Sequence, residues 1–363
     1  MTTLRDIFTA FAPEYLERYP SLPSSQRKVI SAIQQCHSGH DGPSLYQCPH
    51  CGGQHRVNHA WGNRHCPPCQ QHKTQPWLPH HLAQQRPGPP FLLTFTVPET
   101  LSPCIRSPQR IAYHARCTAS SLALKRLAKD ERFIGTDLPG FTGVLHTGGR
   151  QRQYHPHIHS IVPGGGLSAD RAAWLPSRAT CFVPVKALAP VYRALCKEEM
   201  RQAGLLEHIA PQGWTIPWNV HSQANHHGHS AFTSLAPYVF RVAISNSRIV
   251  ALTDRLVTVT YRKVGSGRPR TAHLDGMEFL RRFLQHVLPD GFGKVRHVGF
   301  LQASCAIPPA TLRLLIVQGH PSDDTPPQPK PPQPLAVRCP TCGAPMHVVL
   351  RRWPSYNGFV DTS

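Results

Sequence analysis

The sequence predicts an α+β protein: a helical, cysteine-rich N-terminal module, then a domain with a mostly antiparallel sheet flanked by helices. Three observations carry this expectation. Residues 154–166 hold the β-branched Ile158, Ile161 and Val162 and stop at Pro163 and three glycines, the pattern of a strand running into a loop. Apolar residues recur at helical spacing over about 108–130 and 187–206. Two C-x2-C pairs, Cys48/Cys51 and Cys66/Cys69, lie upstream of both.

Taken in order, the chain opens with two helices over residues 1 to about 35. Phe8, Phe11, Tyr15 and Leu16 form one apolar stripe and Val29, Ile30 and Ile33 a second, with Pro20 and Pro23 between them. After the cysteine pairs, residues 79–90 are rich in Pro, Gln and His and read as a connector. Residues 91–97 alternate as a strand ended by Pro98, and 143–146 form another candidate strand. Residues 214–218 read as extended and precede a histidine-rich loop over 221–229. Over 232–243, Leu235, Tyr238, Val239 and Val242 fit one helical face, with Pro237 in the first turn. Residues 249–252 and 256–261 predict a hairpin around Thr253-Asp254-Arg255, followed by a basic loop to Arg270 suited to phosphates. Asp275 and Glu278 predict a capping box for a helix that buries Phe279, Leu280, Phe283, Leu284 and Val287. Residues 321–335 read as a Pro-rich linker. The predicted organisation is therefore 1–90, 91–318 and 319–363, the last being a linker and a C-terminal C-x2-C tail.

The balance of 39 basic against 19 acidic residues leaves a formal charge of +20. An imbalance of that size points to an anionic partner, and nucleic acid is the common one. The first 14 residues carry charges and no long apolar core, so no export signal is expected, and no apolar run of about 18 residues predicts a membrane span. In that setting the 12 cysteines read as metal ligands and thiols rather than disulfides.

Two motifs carry chemistry. On a strand, His157 and His159 share one face, and Ile158 takes the other. Two imidazoles on one face make half of a divalent metal site. The third ligand is open between Gln153, His155 and His146. The second motif is the pair of C-x2-C turns. Each offers two thiolates, and the gap between them suits a hairpin that closes one tetrahedral zinc site from Cys48, Cys51, Cys66 and Cys69. Cys36 and His65 are alternative donors. Cys339/Cys342 is half of a further site, with His347 as a third candidate ligand.

The Cys48/Cys51…Cys66/Cys69 ribbon, His155-Pro-His157-Ile-His159, Leu235-Ala-Pro-Tyr238-Val and Leu288-Pro-Asp-Gly-Phe292 with Arg296-His297 occur in this order. Together they resemble the transposases of the IS-ninety-one insertion-sequence family, within the HUH endonuclease superfamily of rolling-circle transposition proteins. The resemblance implies an HUH-type catalytic domain over 91–318 and a zinc-binding module before it. It implies cleavage of single-stranded DNA at element ends, with His157 and His159 as ligands of Mg2+ or Mn2+ and Tyr238 as the nucleophile. It also implies structural Zn2+ and a bacterial, cytoplasmic protein associated with DNA.

This sequence departs from the family pattern at three positions. Ser234 stands where many relatives have a second tyrosine, Trp61 where a cysteine is common, and Gly148 where an aromatic is common. The departures at Ser234 and Gly148 favour a second reading, a catalytically impaired zinc-ribbon DNA-binding protein, and the histidines themselves allow a third, a zinc hydrolase using His155, His157 and His159.

Overall fold

The structure is a computed structural model that describes residues 2–39, 42–60, 62–70, 90–148, 154–224, 244–262, 268–319 and 337–351. Tyr238, Ser234, Trp61, Gln153 and the 321–335 linker lie outside them.

The chain begins with α1 (Leu4–Arg18) and α2 (Ser24–Gln35). Leu4, Ile7, Phe8, Phe11, Ala12 and Tyr15 repeat every three or four residues and bury one stripe of α1. Thr3 and Asp6 close a reciprocal capping box at its start. Strands β1 (Pro43–Gln47) and β2 (Gln54–Asn58) form a hairpin. β3 (Phe91–Phe95) is followed by the long helix α3 (Gln109–Lys129). Next come β4 (Leu138–Pro139), β5 (Phe141–Gly148), β6 (Tyr154–Val162), β7 (Gly165–Leu167) and β8 (Trp174–Pro176). Helix α4 (Val185–Gln202) leads on to β9 (Val220–Ala224). The hairpin β10 (Ile249–Thr253) and β11 (Leu256–Arg262) is extended by β12 (Pro269–Asp275), and α5 (Gly276–Leu284) follows. The last described elements are β13 (Val295–Val298), α6 (Pro309–Gly319) and β14 (His347–Arg351).

The central sheet has the order β13-β5-β6-β3-β9, and every neighbouring pair is antiparallel. Side-chain alternation divides it into two faces. Phe91, Leu93, Phe95, Phe141, Leu145, Ile158 and Val162 join α3 and α4 in the main core. The intervening residues, His157 and His159 among them, therefore take the other face. Beneath the strand that carries them, fully buried Arg116 donates from Nη2 to the Pro156 carbonyl at 2.9 Å.

A second core gathers α1 and α2 with Ile249, Val257, Val259 and α5, so the N-terminal helices share their interior with residues 244–287. β14 pairs antiparallel with β1, which gives the sheet β14-β1-β2. The C-terminal strand thus completes the N-terminal hairpin.

Two local expectations differ. Over 214–218 the chain is not simply extended: a helical turn at Gln212–Thr215 precedes β9, and the Trp218 indole donates to the Gly213 carbonyl. At α5, Asp275 caps the Met277 amide, but the Glu278 carboxylate binds Arg281 and Arg282 rather than closing the box. Two guanidiniums one turn ahead outcompete a single backbone amide for that carboxylate.

Candidate metal centres

The first centre sits on adjacent strands of the central sheet. The β5/β6 register sets His146 opposite His157 and Val144 opposite His159, and the β3/β6 register sets Thr94 opposite His159. His146, His157 and His159 bring their ligand nitrogens within 4.8 Å of one another. The ring centroids lie 5.3 Å (His146–His157), 4.9 Å (His146–His159) and 4.7 Å (His157–His159) apart. Of the two candidates for third ligand among the described residues, His146 and His155, His146 is the one the register brings to the pair, and Gln153 lies outside the described residues. His155 has the correct strand parity, and its ring lies 5.7 Å from that of His157, but it is not in the cluster.

Hydrogen bonds orient the rings. His157 Nδ1 donates to the His155 carbonyl at 2.8 Å, because a carbonyl can only accept. Nε2 of His157 therefore carries the lone pair a metal needs. Nδ1 of His159 pairs with the Thr94 hydroxyl at 3.0 Å, which turns its Nε2 toward the cluster. Burial depresses both basicities, to about 4 for His157 and about 3 for His159. Both are therefore neutral imidazoles at physiological pH, the form that could hold a metal.

Basic groups pack along the end of β5 and its neighbour β13. The Cβ that Gly148 lacks would sit 3.4 Å from the His286 ring, whose Nδ1 pairs with Thr147 Oγ1 at 3.2 Å. An aromatic side chain at 148 would have to share the space of His286. Lys294, whose carbonyl accepts from the Leu145 amide, has its ammonium pulled down to about 8 by desolvation and by Arg64.

The cysteines regroup relative to the sequence expectation. Cys48 and Cys51 do not meet Cys66 and Cys69. They meet Cys339 and Cys342, with sulfurs 3.5 Å (Cys48–Cys342), 3.6 Å (Cys51–Cys339) and 3.7 Å (Cys51–Cys342) apart. Four thiolates at about 2.3 Å from one zinc stand about 3.8 Å apart, so the donor set fits a tetrahedral Zn2+. The physical reason for the regrouping is the β14/β1 pairing, which carries one turn onto the other.

The two turns are built alike. Cys48 N–H donates to the Gly53 carbonyl and Gly52 N–H to that of Cys48; Cys339 N–H donates to Ala344 and Gly343 N–H to Cys339. Gly52 and Gly343 both take positive φ, +71° and +72°, which a side chain would strain. The backbone amides of Cys342 and Thr341 aimed at the Cys339 sulfur hold its thiol down to about 6. A signal for this pairing was present in the sequence: both turns read Cys-Pro-x-Cys-Gly, whereas Gln70 follows Cys69. Cys66 and Cys69 instead lie with Cys36. His347, the candidate third ligand to Cys339 and Cys342, sits on β14 opposite Gln47.

Residues 7–97 match the family described as "Transposase zinc-binding domain" of the IS-ninety-one type, and residues 140–307 match the family described as "Putative transposase". The "Putative transposase y4qJ" of Sinorhizobium fredii is 32% identical over 82% of this chain and 79% of its own length. The "Transposase for insertion sequence element IS801" of Pseudomonas savastanoi pv. phaseolicola is 27% identical over 70% of this chain and 64% of its own.

The chain belongs to the IS-ninety-one family of transposases. It carries that family's zinc-binding domain at its N-terminus, and the three-histidine cluster falls inside the matched transposase segment. Membership of a transposase family implies DNA binding and DNA cleavage. Among the described residues, no helix is long and apolar enough to cross a membrane.

Proposed function

We propose that this transposase cleaves single-stranded DNA at element ends through Tyr238, with a divalent ion held by His146, His157 and His159. The observation that carries this reading is the three-histidine cluster itself: three imidazoles on two paired strands, those of His157 and His159 neutral and oriented by hydrogen bonds, in a chain of a DNA-transposing family.

The ion supplies charge that polarises the scissile phosphate and stabilises the negative charge developing there. Three imidazoles without a carboxylate suit Mn2+ better than Mg2+, whose preference is for oxygen donors. Burial keeps His157 and His159 unprotonated, so binding the ion displaces no proton from these two at neutral pH.

A phenol is a poor nucleophile near pH 7 because its pKa is about 10. Tyr238 must therefore lose its proton as its oxygen attacks phosphorus in line. The P–O3′ bond breaks, the departing 3′ oxygen takes up a proton, and the 5′ phosphate stays on Tyr238 as a phosphotyrosine. The phosphodiester's energy is kept in that bond, so a later 3′-OH can rejoin the strand. With Ser234 four residues upstream, the segment offers one tyrosine to this chemistry, and the covalent ends are handled one at a time in a rolling-circle scheme. The zinc-bearing module, with His55 and Arg56 on its exposed hairpin, serves as a DNA docking platform.

The test is to incubate the protein with a labelled single-stranded oligonucleotide spanning an element end, with Mn2+ or Mg2+, beside Tyr238→Phe and His159→Ala. A denaturant-resistant protein–DNA adduct, lost in both variants, is expected. Salt-sensitive binding with no adduct from the unaltered protein would replace this reading with that of a DNA-binding remnant.

A further inference from the structure

We propose that the outer face of α3, with Arg296 of β13 beside its N-terminal end, is a docking surface for double-stranded DNA on the side of the central sheet away from the three histidines. Helix α3 holds Arg110, Arg116, Lys125, Arg126 and Lys129 and no aspartate or glutamate. Arg116 is buried against the Pro156 carbonyl, whereas the other four cations and His114 are exposed. At about 100° per residue these five exposed groups fall on one side of the helix. The opposite side, with Ala112, Tyr113, Ala119 and Leu124, packs into the main core under the sheet. The basic side therefore looks out to solvent.

An ordinary solvated helix face is laced with opposite charges three and four residues apart. The neighbouring helices follow that pattern: Glu198 of α4 accepts from Arg201 and Gln202, and Glu278 of α5 from Arg281 and Arg282. The face of α3 does not. Among the described residues Lys129 pairs with Asp137 at 2.7 Å, and Arg110, Lys125 and Arg126 pair with no carboxylate. Asp130, just past the helix, is held by Arg132. Glu131 remains beyond one end of the face and Glu199 beside the other. The surplus of positive charge is thus not balanced from within the fold, and a polyanion complements it.

At the N-terminal end the face runs into a cavity of about 530 Å3 whose walls include Arg110, His114, Glu199, Gln202, Phe292 and Arg296. The Arg296 guanidinium lies over the Phe292 ring, 5.5 Å from its centroid, and donates from Nη2 to His114 Nδ1 at 3.2 Å. That bond leaves His114 Nε2 as a donor. Arg110 Nη1 is anchored on the Asp290 carbonyl at 3.1 Å. Three fixed donors there outweigh the single Glu199 carboxylate, as a phosphate contact requires. The shape selects the duplex. From Arg110 to Lys129 the face is straight and about 28 Å long, at about 1.5 Å per residue. That length matches about eight phosphates of one strand of a duplex. A single strand is held by concave grooves with aromatic platforms for its bases. The uncharged exposed residues here, Ile111 and Leu122, offer no ring. The inference rests on the chain's membership of a DNA-transposing family and not on the chemistry of Tyr238.

The experiment measures binding of the full-length protein to a labelled duplex oligonucleotide of arbitrary sequence, without Mn2+ or Mg2+, over a series of salt concentrations. Lys125→Gln/Arg126→Gln is expected to weaken duplex binding and to flatten the slope of log K against log salt by about 1.8, two phosphate contacts at about 0.9 each. Lys125→Arg/Arg126→Lys, which keeps both charges, is expected to keep the slope. Arg171→Gln/Arg178→Gln removes two exposed cations from the loop around β8 and is expected to leave it unchanged. An unchanged slope in Lys125→Gln/Arg126→Gln, or an equal fall in Arg171→Gln/Arg178→Gln, would overturn the proposal. So would a loss of single-strand binding as large as the loss of duplex binding. Tyr238→Phe is expected to bind the duplex like the unaltered protein, so failure of the cleavage chemistry and failure of this surface give separate readouts.

Discussion

His159 shows how much of this site is decided one atom at a time. Its ring is held by the Thr94 hydroxyl, a residue with no metal-binding chemistry of its own. Removing such an orienting partner costs about 10- to 100-fold in metal affinity. Thr94→Val is therefore expected to weaken Mn2+ binding at the three-histidine site by about 10-fold with little change in melting temperature, read by titration of free Mn2+. Unchanged affinity would mean that strand geometry alone aims the ring. Lys294 makes a second residue-scale case. Desolvation holds its folded pKa at about 8 against 10.5 in the unfolded chain. As pH rises from about 8 to 10.5, the unfolded state carries the extra proton, so stability rises with pH across that window. Denaturant midpoints at pH 7 and pH 9.5 should show this rise in the unaltered protein and its loss in Lys294→Met.

At the scale of elements, capping and close approach set the cost of change. Helix α5 is capped at Met277 by Asp275 alone, because Glu278 is committed to Arg281 and Arg282. Asp275→Ala is expected to cost about 1 kcal/mol, measured by denaturant unfolding. A sharper constraint lies beside β13. Gly299 takes φ +64°, and a Cβ there would fall 1.6 Å from the Pro139 carbonyl oxygen. Gly299→Ala must move backbone, and a loss of more than about 2 kcal/mol is expected, larger than for Asp275→Ala. The same elements explain why predicted helices and strands were legible: α1 and α4 bury one periodic stripe, and in β6 Ile158 and Val162 join the core while His157 and His159 take the other face. The missed capping-box leg at α5 is a competition among side chains that spacing alone cannot rank.

Across the whole molecule, the zinc-fitted cysteines join the two ends of the chain. Cys339→Ser/Cys342→Ser is expected to release residues 337–351 from β1, which limited proteolysis would detect as early loss of the C-terminal segment. Equal protease resistance would mean that the β14/β1 hydrogen bonds suffice without the ion. The formal charge of +20 sets another whole-molecule expectation. Binding to a single-stranded oligonucleotide should fall by about 10-fold or more between 50 and 200 mM salt, because each neutralised phosphate releases a counterion.

Local periodicity determined, from sequence alone, the α+β composition, the helices α1 to α5, the strand of His157 and His159 with both rings on one face, and the presence of thiolate turns. These depend on the 3.6- and 2-residue repeats of the backbone, which act within a dozen residues. Tertiary structure decided which of those pieces meet. Strand register, not parity, brought His146 rather than His155 to His157 and His159, because the three rings converge across two strands and not only along one. Pairing between β1 and β14 selected Cys339 and Cys342 over Cys66 and Cys69, although the latter are far nearer in sequence. Closing a long loop costs little more than closing a short one, since the entropy grows only with the logarithm of its length. A well-matched sheet edge and a shared ion are therefore enough to override proximity along the chain.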